Sequence, residues 1–106
     1  MADIFHTSYL VKGDKVDIDN LYDILDKYLD NGSYFENVID HFDAGCNSLV
    51  NYGGTNYGNV KRNKNTIKFD LFTRWRPRHD LVQYVCSHFI SLDYYSDEKG
   101  FLAWYL

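Results

Sequence analysis

The residues between positions 61 and 78 form the stretch of this sequence whose chemistry is easiest to state. Guanidinium groups bind phosphates in a bidentate manner, and aromatic rings stack on nucleobases. Trp75 lies inside the stretch and Tyr57 lies close to it. The stretch therefore suggests contact with a nucleic acid or with an acidic partner. We call its basic residues the basic arm: Lys61, Arg62, Lys64, Lys68, Arg74, Arg76 and Arg78.

A purely structural interpretation of the basic arm is also open. If Trp75 lies on the buried face of a strand together with Leu71, its ring cannot stack on a base. The arginines would then form a solvated rim or pair with acids of the same chain. Arginine is enriched at protein interfaces as well, so its presence does not separate a protein partner from a nucleic acid.

A second charged feature is a row of four aspartates, which we call the acidic ladder: Asp19, Asp23, Asp26 and Asp30. Positions three and four apart lie on one face of a helix, and like charges at that spacing cost a few tenths of a kcal/mol per pair. A row of carboxylates can imitate a phosphate backbone and occupy the nucleic-acid groove of another protein. The alternative is an ordinary solvated helix face.

No catalytic or metal-binding pattern accompanies these charges. The four histidines are scattered along the chain, and His41 and Cys46 lack the paired spacing of a zinc site. Cys86 falls on an apolar stripe, where thiols are usually inert. "YGGTNYG" lacks the glycine spacing and the Lys-Ser/Thr end of a phosphate-binding loop. We expect no enzyme activity, no cofactor and no metal.

Composition and charge layout limit the class of protein. A chain of 106 residues with 45% hydrophobic and 18% aromatic residues is expected to fold as a single domain, 1–106. Ten acids and three bases in residues 1–43 oppose seven bases and one acid in residues 60–79, which predicts faces of opposite sign. No apolar run is long enough to cross a bilayer, and no secretory signal opens the chain. With only two cysteines, expected to be reduced and buried, a cytoplasmic location is predicted.

The first half of the chain must position the acidic ladder. Residues 4–12 are rich in β-branched and aromatic residues and predict a strand that ends at a Gly13-Asp14 turn. An apolar stripe at helical spacing then predicts a helix from Asp17, as the first-turn cap, to Asn31-Gly32. Ser33 and Glu36 fit a capping box for a second short helix that ends before Gly45.

The second half must position the basic arm. Residues 46–65 predict an irregular loop or a weak strand, with a hairpin turn at 63–65. Alternating residues in 66–75 predict a half-buried strand whose inner face carries Ile67, Phe69, Leu71, Thr73 and Trp75. Pro77 favours a helix start at about 78, with an end near 89. "SLDYYS" and "GFLAWYL", separated by "DEKG", predict a closing hairpin.

These elements predict an α+β protein with helices packed on one face of an antiparallel sheet. The nearest named topology is ferredoxin-like, a split βαβ arrangement, with an extra C-terminal strand. The edge formed by "FLAWYL" could pair with a second copy, which leaves dimerisation open.

The stretch "IKFDLFTRWRPRHDLVQYVCSHF", followed by "LDYYSDEKGFLAWY", resembles the YubB-type ferredoxin-like domain family of phage and plasmid proteins. The resemblance covers about half of the chain. "NYGGTNYG" is faintly similar to the Trp-Gly-Thr-x-Trp element of that family, with Tyr52 and Tyr57 replacing tryptophans. Arg74 and Arg78 depart from the family, which favours a small residue and a second proline. The resemblance implies a ferredoxin-like fold and a mobile-element setting, without an enzymatic activity.

From these observations we expect a non-enzymatic protein that acts in the cytoplasm of a bacterial host. By analogy with small acidic phage proteins, it would bind and inhibit a host protein through its charged surfaces, as an anti-CRISPR or other anti-defence inhibitor. The partner would be a host protein, such as a nucleic-acid-binding effector complex. The alternative is direct nucleic-acid binding by the basic arm.

Overall fold

The computed structural model describes residues 4–29, 34–42, 56–74 and 78–101, which form four strands and three helices. The elements follow one another in the order β1 (Ile4–Lys12), α1 (Lys15–Leu29), α2 (Phe35–Phe42), β2 (Asn56–Asn63), β3 (Thr66–Arg74), α3 (His79–Cys86) and β4 (Asp93–Phe101).

The four strands form one antiparallel sheet in the order β2-β3-β1-β4. The connection from β1 to β2 contains α1 and α2 and passes over β3. The connection from β3 to β4 contains α3 and passes over β1. Each connection therefore joins two parallel strands that a third, antiparallel strand separates. This is the split βαβ arrangement, so the predicted α+β class is confirmed and the element order is compatible with a ferredoxin-like fold.

The helices cover one face of the sheet. From α1, the side chains of Ile18, Leu21 and Leu25 are buried, as the apolar stripe predicts. They meet the buried side chains of α2, of α3 and of alternate residues in β1 and β3 in one core. The helical layer thus fixes which face of α1 remains in water.

Strand β3 alternates as predicted. The side chains of Ile67, Phe69, Leu71 and Thr73 are buried on the helical face of the sheet. Their neighbours in sequence point to the opposite face, because side chains alternate along a strand. We call that opposite face, which no helix covers among the described residues, the open face.

The turn between β2 and β3 lies where the sequence predicts a hairpin. Lys64 occupies the left-handed region, with φ 52°, and Thr66 Oγ1 donates a 2.8 Å hydrogen bond to the Asn63 carbonyl oxygen. Strand β2 itself is longer than the weak strand suggested by the sequence, because it pairs with β3 over most of its length.

The predicted closing hairpin is wrong at its turn. The polar residues Asp97–Gly100 continue strand β4, which pairs with β1 as far as Phe101. One extra residue is accommodated where the register shifts between His6 and Thr7. Pairing with a central strand outweighs the local turn preference of "DEKG". Residues 102–106, which the extra C-terminal strand requires, lie outside the described residues.

The start of α1 also differs from the prediction. The helix begins at Lys15, so Asp17 lies within the first turn and does not cap it. Its Oδ2 accepts hydrogen bonds from the Ser91 amide nitrogen at 3.0 Å and from Ser91 Oγ at 2.7 Å. A Cβ on Gly13 would lie 2.5 Å from Leu92 Cδ2 and 3.0 Å from the Ser91 carbonyl oxygen, so a larger residue would require these neighbours to shift.

The end of the third helix also differs from the prediction. Helix α3 ends at Cys86, with Ser87 as its C-cap residue, and does not extend to about residue 89 as predicted. Four residues named in the predictions lie outside the described residues: Ser33, Cys46, Trp75 and Pro77.

Within the described part of the chain, none of the helices is both long and apolar enough to cross a membrane.

Candidate binding surfaces

The acidic ladder divides into two parts on α1. Asp19 accepts a 2.9 Å hydrogen bond from Lys15 Nζ and also pairs with Arg62 of β2. The hydrogen bonds from Lys15 and Arg62 lower the pKa of Asp19 below its usual value. Asp23 and Asp26 are exposed, and neither forms an ion pair with another described residue. Asp30 lies outside the described residues.

The basic arm does not form one continuous surface. Arg62 belongs to the helical side of β2: its guanidinium pairs with Asp19 and lies 5.9 Å from the centre of the Tyr22 ring. It therefore joins the end of the basic arm to the start of the acidic ladder. The prediction of separate positive and negative faces fails at this contact, because the fold brings the two stretches together.

Arg78 is the clearest correction to the basic arm. The sequence suggests that its side chain is exposed, but the residue is only 5% exposed. Its Nε and Nη2 each donate a 3.0 Å hydrogen bond to Asp80, one to each carboxylate oxygen. A bidentate pair of this kind orders the residues that lead into α3, so Arg78 has a structural role.

The other members of the basic arm are distributed as follows. Lys64 lies in the β2–β3 turn, and Lys61 and Lys68 are exposed on the open face, directly opposite each other in the pairing of β2 with β3. The backbone of Arg74 ends β3. Arg76 lies outside the described residues.

The open face carries rows of side chains that run across the strands. One row consists of Phe72 and His6, whose rings stack with centres 4.6 Å apart and an interplanar angle of 21°. Another consists of Lys61, Lys68, Leu10 and Tyr95. The alternation of β3 predicts that Lys68 and Phe72 share this face, but the residues opposite them depend on strand order and register. No local signal contains that information.

Asp70 lies at the centre of the open face. Its Oδ1 accepts a 2.6 Å hydrogen bond from Ser8 Oγ, and its Oδ2 accepts a 2.7 Å hydrogen bond from Asn59 Nδ2. His6 Nε2 lies 3.3 Å from Oδ2, close enough for an ion pair when the ring is protonated. Burial alone would raise the pKa of Asp70, but these partners together lower it below its usual value.

Asp70→Asn is expected to cost about 1–3 kcal/mol of unfolding free energy near pH 7, because the side chain loses its charge and one acceptor. The wild-type carboxylate has a lower pKa in the folded state than in the unfolded state. Its stabilising contribution is therefore complete above the unfolded pKa of roughly 3.9 and is lost as the pH falls through the folded value. Urea unfolding near pH 7 and about pH 3 should show a smaller acid-induced loss in the variant than in the wild type.

Asp93→Asn is the matched control for Asp70→Asn. Asp93 is an exposed carboxylate in β4, so its replacement removes the same charge without removing the contacts to Ser8 and Asn59. An equal acid-induced loss of stability in wild type and Asp70→Asn would show that the Asp70 contacts do not stabilise the fold.

Two places in the described structure contain residue types that are used in catalysis. One is the Cys86 thiol, and the other is His79 with its two hydrogen-bonding partners. The Cys86 thiol is buried, and burial, followed by the charge of Asp93, raises its pKa to about 12. It therefore remains protonated near neutral pH, where a thiol is a poor nucleophile. His79 bridges Tyr9 Oη, 2.8 Å from its Nδ1, and Glu98 Oε1, 3.0 Å from its Nε2.

The Tyr9–His79–Glu98 chain has the features of a structural link. Tyr9 is 1% exposed, so a substrate cannot reach its hydroxyl group. Burial, together with the nearby Tyr94, Glu98 and Asp80, raises its pKa. The chain joins β1, α3 and β4 and holds α3 against the sheet. Among the described residues, no group of three or more His, Cys, Asp or Glu side chains is arranged to hold a metal ion.

Comparisons of this chain with protein-family models, with curated proteins and with solved structures find no match. The resemblance to the YubB-type family therefore stays a prediction.

Proposed function

We propose that this protein is a non-enzymatic binding protein that engages a protein partner through the outer face of α1. The observation that carries the proposal is the pair Asp23 and Asp26, two exposed carboxylates to which no described residue supplies a paired cation. Repulsion between neighbouring carboxylates on one helix face destabilises the free protein slightly. A cationic partner surface would remove that cost on binding.

The geometry of α1 supports a partner with a basic groove. Leu21 and Leu25 hold the inner side of the helix in the core, so Asp23 and Asp26 remain on the outer side. Asp19, in contrast, is already neutralised by Lys15 and Arg62. The acidic surface available to a partner therefore begins at Asp23 and continues at Asp26, towards the C-terminal end of α1.

The spacing of the carboxylates on α1 indicates the kind of partner. A row of carboxylates imitates the charge spacing of a nucleic-acid backbone, and a host effector complex that binds nucleic acid offers a groove of the opposite charge. The resemblance to phage and plasmid proteins favours a bacterial host. We therefore propose an anti-CRISPR or related anti-defence inhibitor that acts in the host cytoplasm.

Replacing Asp23 and Asp26 together by Asn is expected to weaken partner binding by about tenfold or more, because charged pairs at an interface contribute on this scale. Immobilised wild type and the double variant would be incubated with bacterial lysate, and retained proteins would be quantified by mass spectrometry. Proteins bound through the acidic surface should elute as the salt concentration rises, since exposed charges are screened.

The control is the double variant Asp93→Asn/Asp97→Asn, which removes two acids from β4 and leaves α1 intact. Retention that is equal in wild type and in Asp23→Asn/Asp26→Asn would show that the acidic ladder does not contribute to partner binding. Retention that falls equally in both double variants would indicate a non-specific effect of net charge.

A separate experiment tests the proposed inhibition of a host defence system. Expression of the wild-type chain in cells with an active CRISPR system is expected to restore plating of a targeted phage, and the Asp23→Asn/Asp26→Asn variant should restore less. Plating that stays unchanged against each system tested would contradict the inhibitor role. The binding experiment would still decide whether α1 engages a protein.

The alternative function assigns nucleic-acid binding to the whole basic arm. Arg62 and Arg78 are engaged with Asp19 and Asp80, so they do not form a joint phosphate-binding surface in this conformation. Fewer members of the basic arm lie on the open face than the arm contains in all. A ligand bound on that face would also contact residues that do not belong to the arm.

A further inference from the structure

We infer that the open face contains a binding site for single-stranded nucleic acid, formed by Lys61, Lys68, Leu10 and Tyr95, with Lys12 beside it. This site lies on the opposite side of the sheet from α1 and rests on observations of its own. It is independent of the proposed function of the acidic helix.

The first observation is an unfavourable charge arrangement. Lys61 and Lys68 are directly opposite each other on neighbouring antiparallel strands. Like charges in directly opposite positions destabilise a sheet. Both residues are exposed, and neither belongs to an ion pair within the described ranges 4–29, 34–42, 56–74 and 78–101. A bound anion would relieve this repulsion.

Asp70 lines one depression together with Lys61 and Lys68, but within the described part of the chain its ion-pair contact is with His6 and not with either lysine. Asp70 uses its two carboxylate oxygens to accept hydrogen bonds from Ser8 and Asn59, and its charge lies next to His6. The acids Asp93 and Asp97 belong to β4, at the opposite edge of the sheet from β2. The open face is therefore most basic where β2 meets β3.

The second observation is an exposed aromatic ring in the same row. Tyr95 is 58% exposed and lies opposite Leu10 of β1, which in turn lies opposite Lys68. The Lys12 ammonium lies 5.9 Å from the centre of the Tyr95 ring. On the open face of β4 the exposed Tyr95 ring lies between Asp93 and Asp97, and it provides a stacking surface for a planar base.

The depressions on the open face connect these features. One depression of about 320 Å³ is lined by Leu10, Lys68 and Tyr95 together with Ser8, Ser96 and the acid Asp97, and a second of about 300 Å³ is lined by Lys61, Lys68 and Asp70. Lys68 borders both. A single-stranded nucleic acid that lies across the sheet could place a phosphate at the two lysines and a neighbouring base against Tyr95.

Charge and shape together favour single-stranded nucleic acid over an acidic peptide. Lysine ammonium groups bind phosphates as point charges, and stacking on an aromatic ring requires a base that is free of a duplex. An acidic peptide would use the lysines but would gain little from Tyr95. The contribution of Tyr95 therefore separates these two ligands.

The test measures the fluorescence anisotropy of short fluorescein-labelled oligothymidylate and oligouridylate at several salt concentrations. The logarithm of the affinity should fall linearly with the logarithm of the salt concentration. In Lys61→Gln/Lys68→Gln the slope should decrease by about 1.4, because each phosphate contact to a single strand contributes about 0.7. Tyr95→Ala should weaken binding about tenfold with an unchanged slope, and Tyr95→Phe should bind like the wild type.

The matched control is Lys15→Gln/Lys27→Gln, which removes two exposed lysines from α1 and should keep the wild-type slope. The inference is overturned if neither oligonucleotide binds at low ionic strength, or if the control reduces the slope as much as Lys61→Gln/Lys68→Gln. It is also overturned if polyglutamate competes as well as the oligonucleotides and Tyr95→Ala has no effect, because the ligand would then be an acidic polypeptide.

Discussion

Phe35→Ala is expected to lower the free energy of unfolding by about 3–5 kcal/mol, the largest effect of any single change considered for this protein. Phe35 begins α2 and is 1% exposed. Its ring meets Tyr57 of β2 edge-to-face at 5.7 Å between centres and stacks with Phe69 of β3 at 6.1 Å. Truncation would leave a cavity between α2 and the sheet and would remove both aromatic contacts.

Urea unfolding followed by intrinsic fluorescence would measure the effect of Phe35→Ala. The neighbouring Tyr34, which is 46% exposed, supplies the matched control, because Tyr34→Ala removes an aromatic side chain that lies mostly in water. The control should lose less than about 1 kcal/mol. A similar loss for the two variants would mean that α2 does not pack on the sheet as described.

The second large effect is expected at the pair Arg78–Asp80, where the two partners should behave differently. Asp80→Asn replaces a carboxylate partner of a guanidinium that is only 6% exposed by a neutral amide, and we expect a loss of about 2–4 kcal/mol. Arg78→Met leaves a carboxylate that is 45% exposed and can be solvated by water, so the loss should be smaller.

Thermal and urea unfolding of both variants would establish this order. If Arg78→Met were the more destabilising change, the packing of the Arg78 side chain would matter more than the charge of its partner. The result also bears on binding experiments. Weaker binding by an Arg78 variant has to be compared with its loss of stability before it is attributed to a partner contact.

The two proposed sites lie on opposite faces of one sheet, and this gives the charge pattern of the chain a physical meaning. Asp23 and Asp26 lie on the outer side of the helical layer, whereas Lys61 and Lys68 lie on the open face. Either site could bind a ligand without covering the other. Variants at one site are therefore expected to leave binding at the other site intact.

Much of the fold could be predicted from local patterns. The apolar stripe of α1 and the alternation in β3 each report which side chains are buried, and Ile18, Leu25 and Ile67 are buried as expected. These patterns are reliable because burial of one face is a property of a single helix or strand. The turn before Thr66 is equally local.

The errors occur where a distant segment outweighs the local preference. "DEKG" has the composition of a turn, but β1 pairs with it and extends β4. Asp17 resembles a helix cap, but Ser91 donates two hydrogen bonds to its carboxylate. In each case the deciding partner lies more than seventy residues away in the chain.

The sequence by itself determined the α+β class, the apolar side of the helices and of β3, and the presence of one acidic and one basic stretch. Only the tertiary structure decided how those charges are used. It joined Arg62 to Asp19, buried Arg78 against Asp80, and left Lys61 opposite Lys68 in the same row as an exposed tyrosine. The reason is physical: periodicity records which side of an element avoids water, whereas ion pairs and binding rows depend on strand order and register.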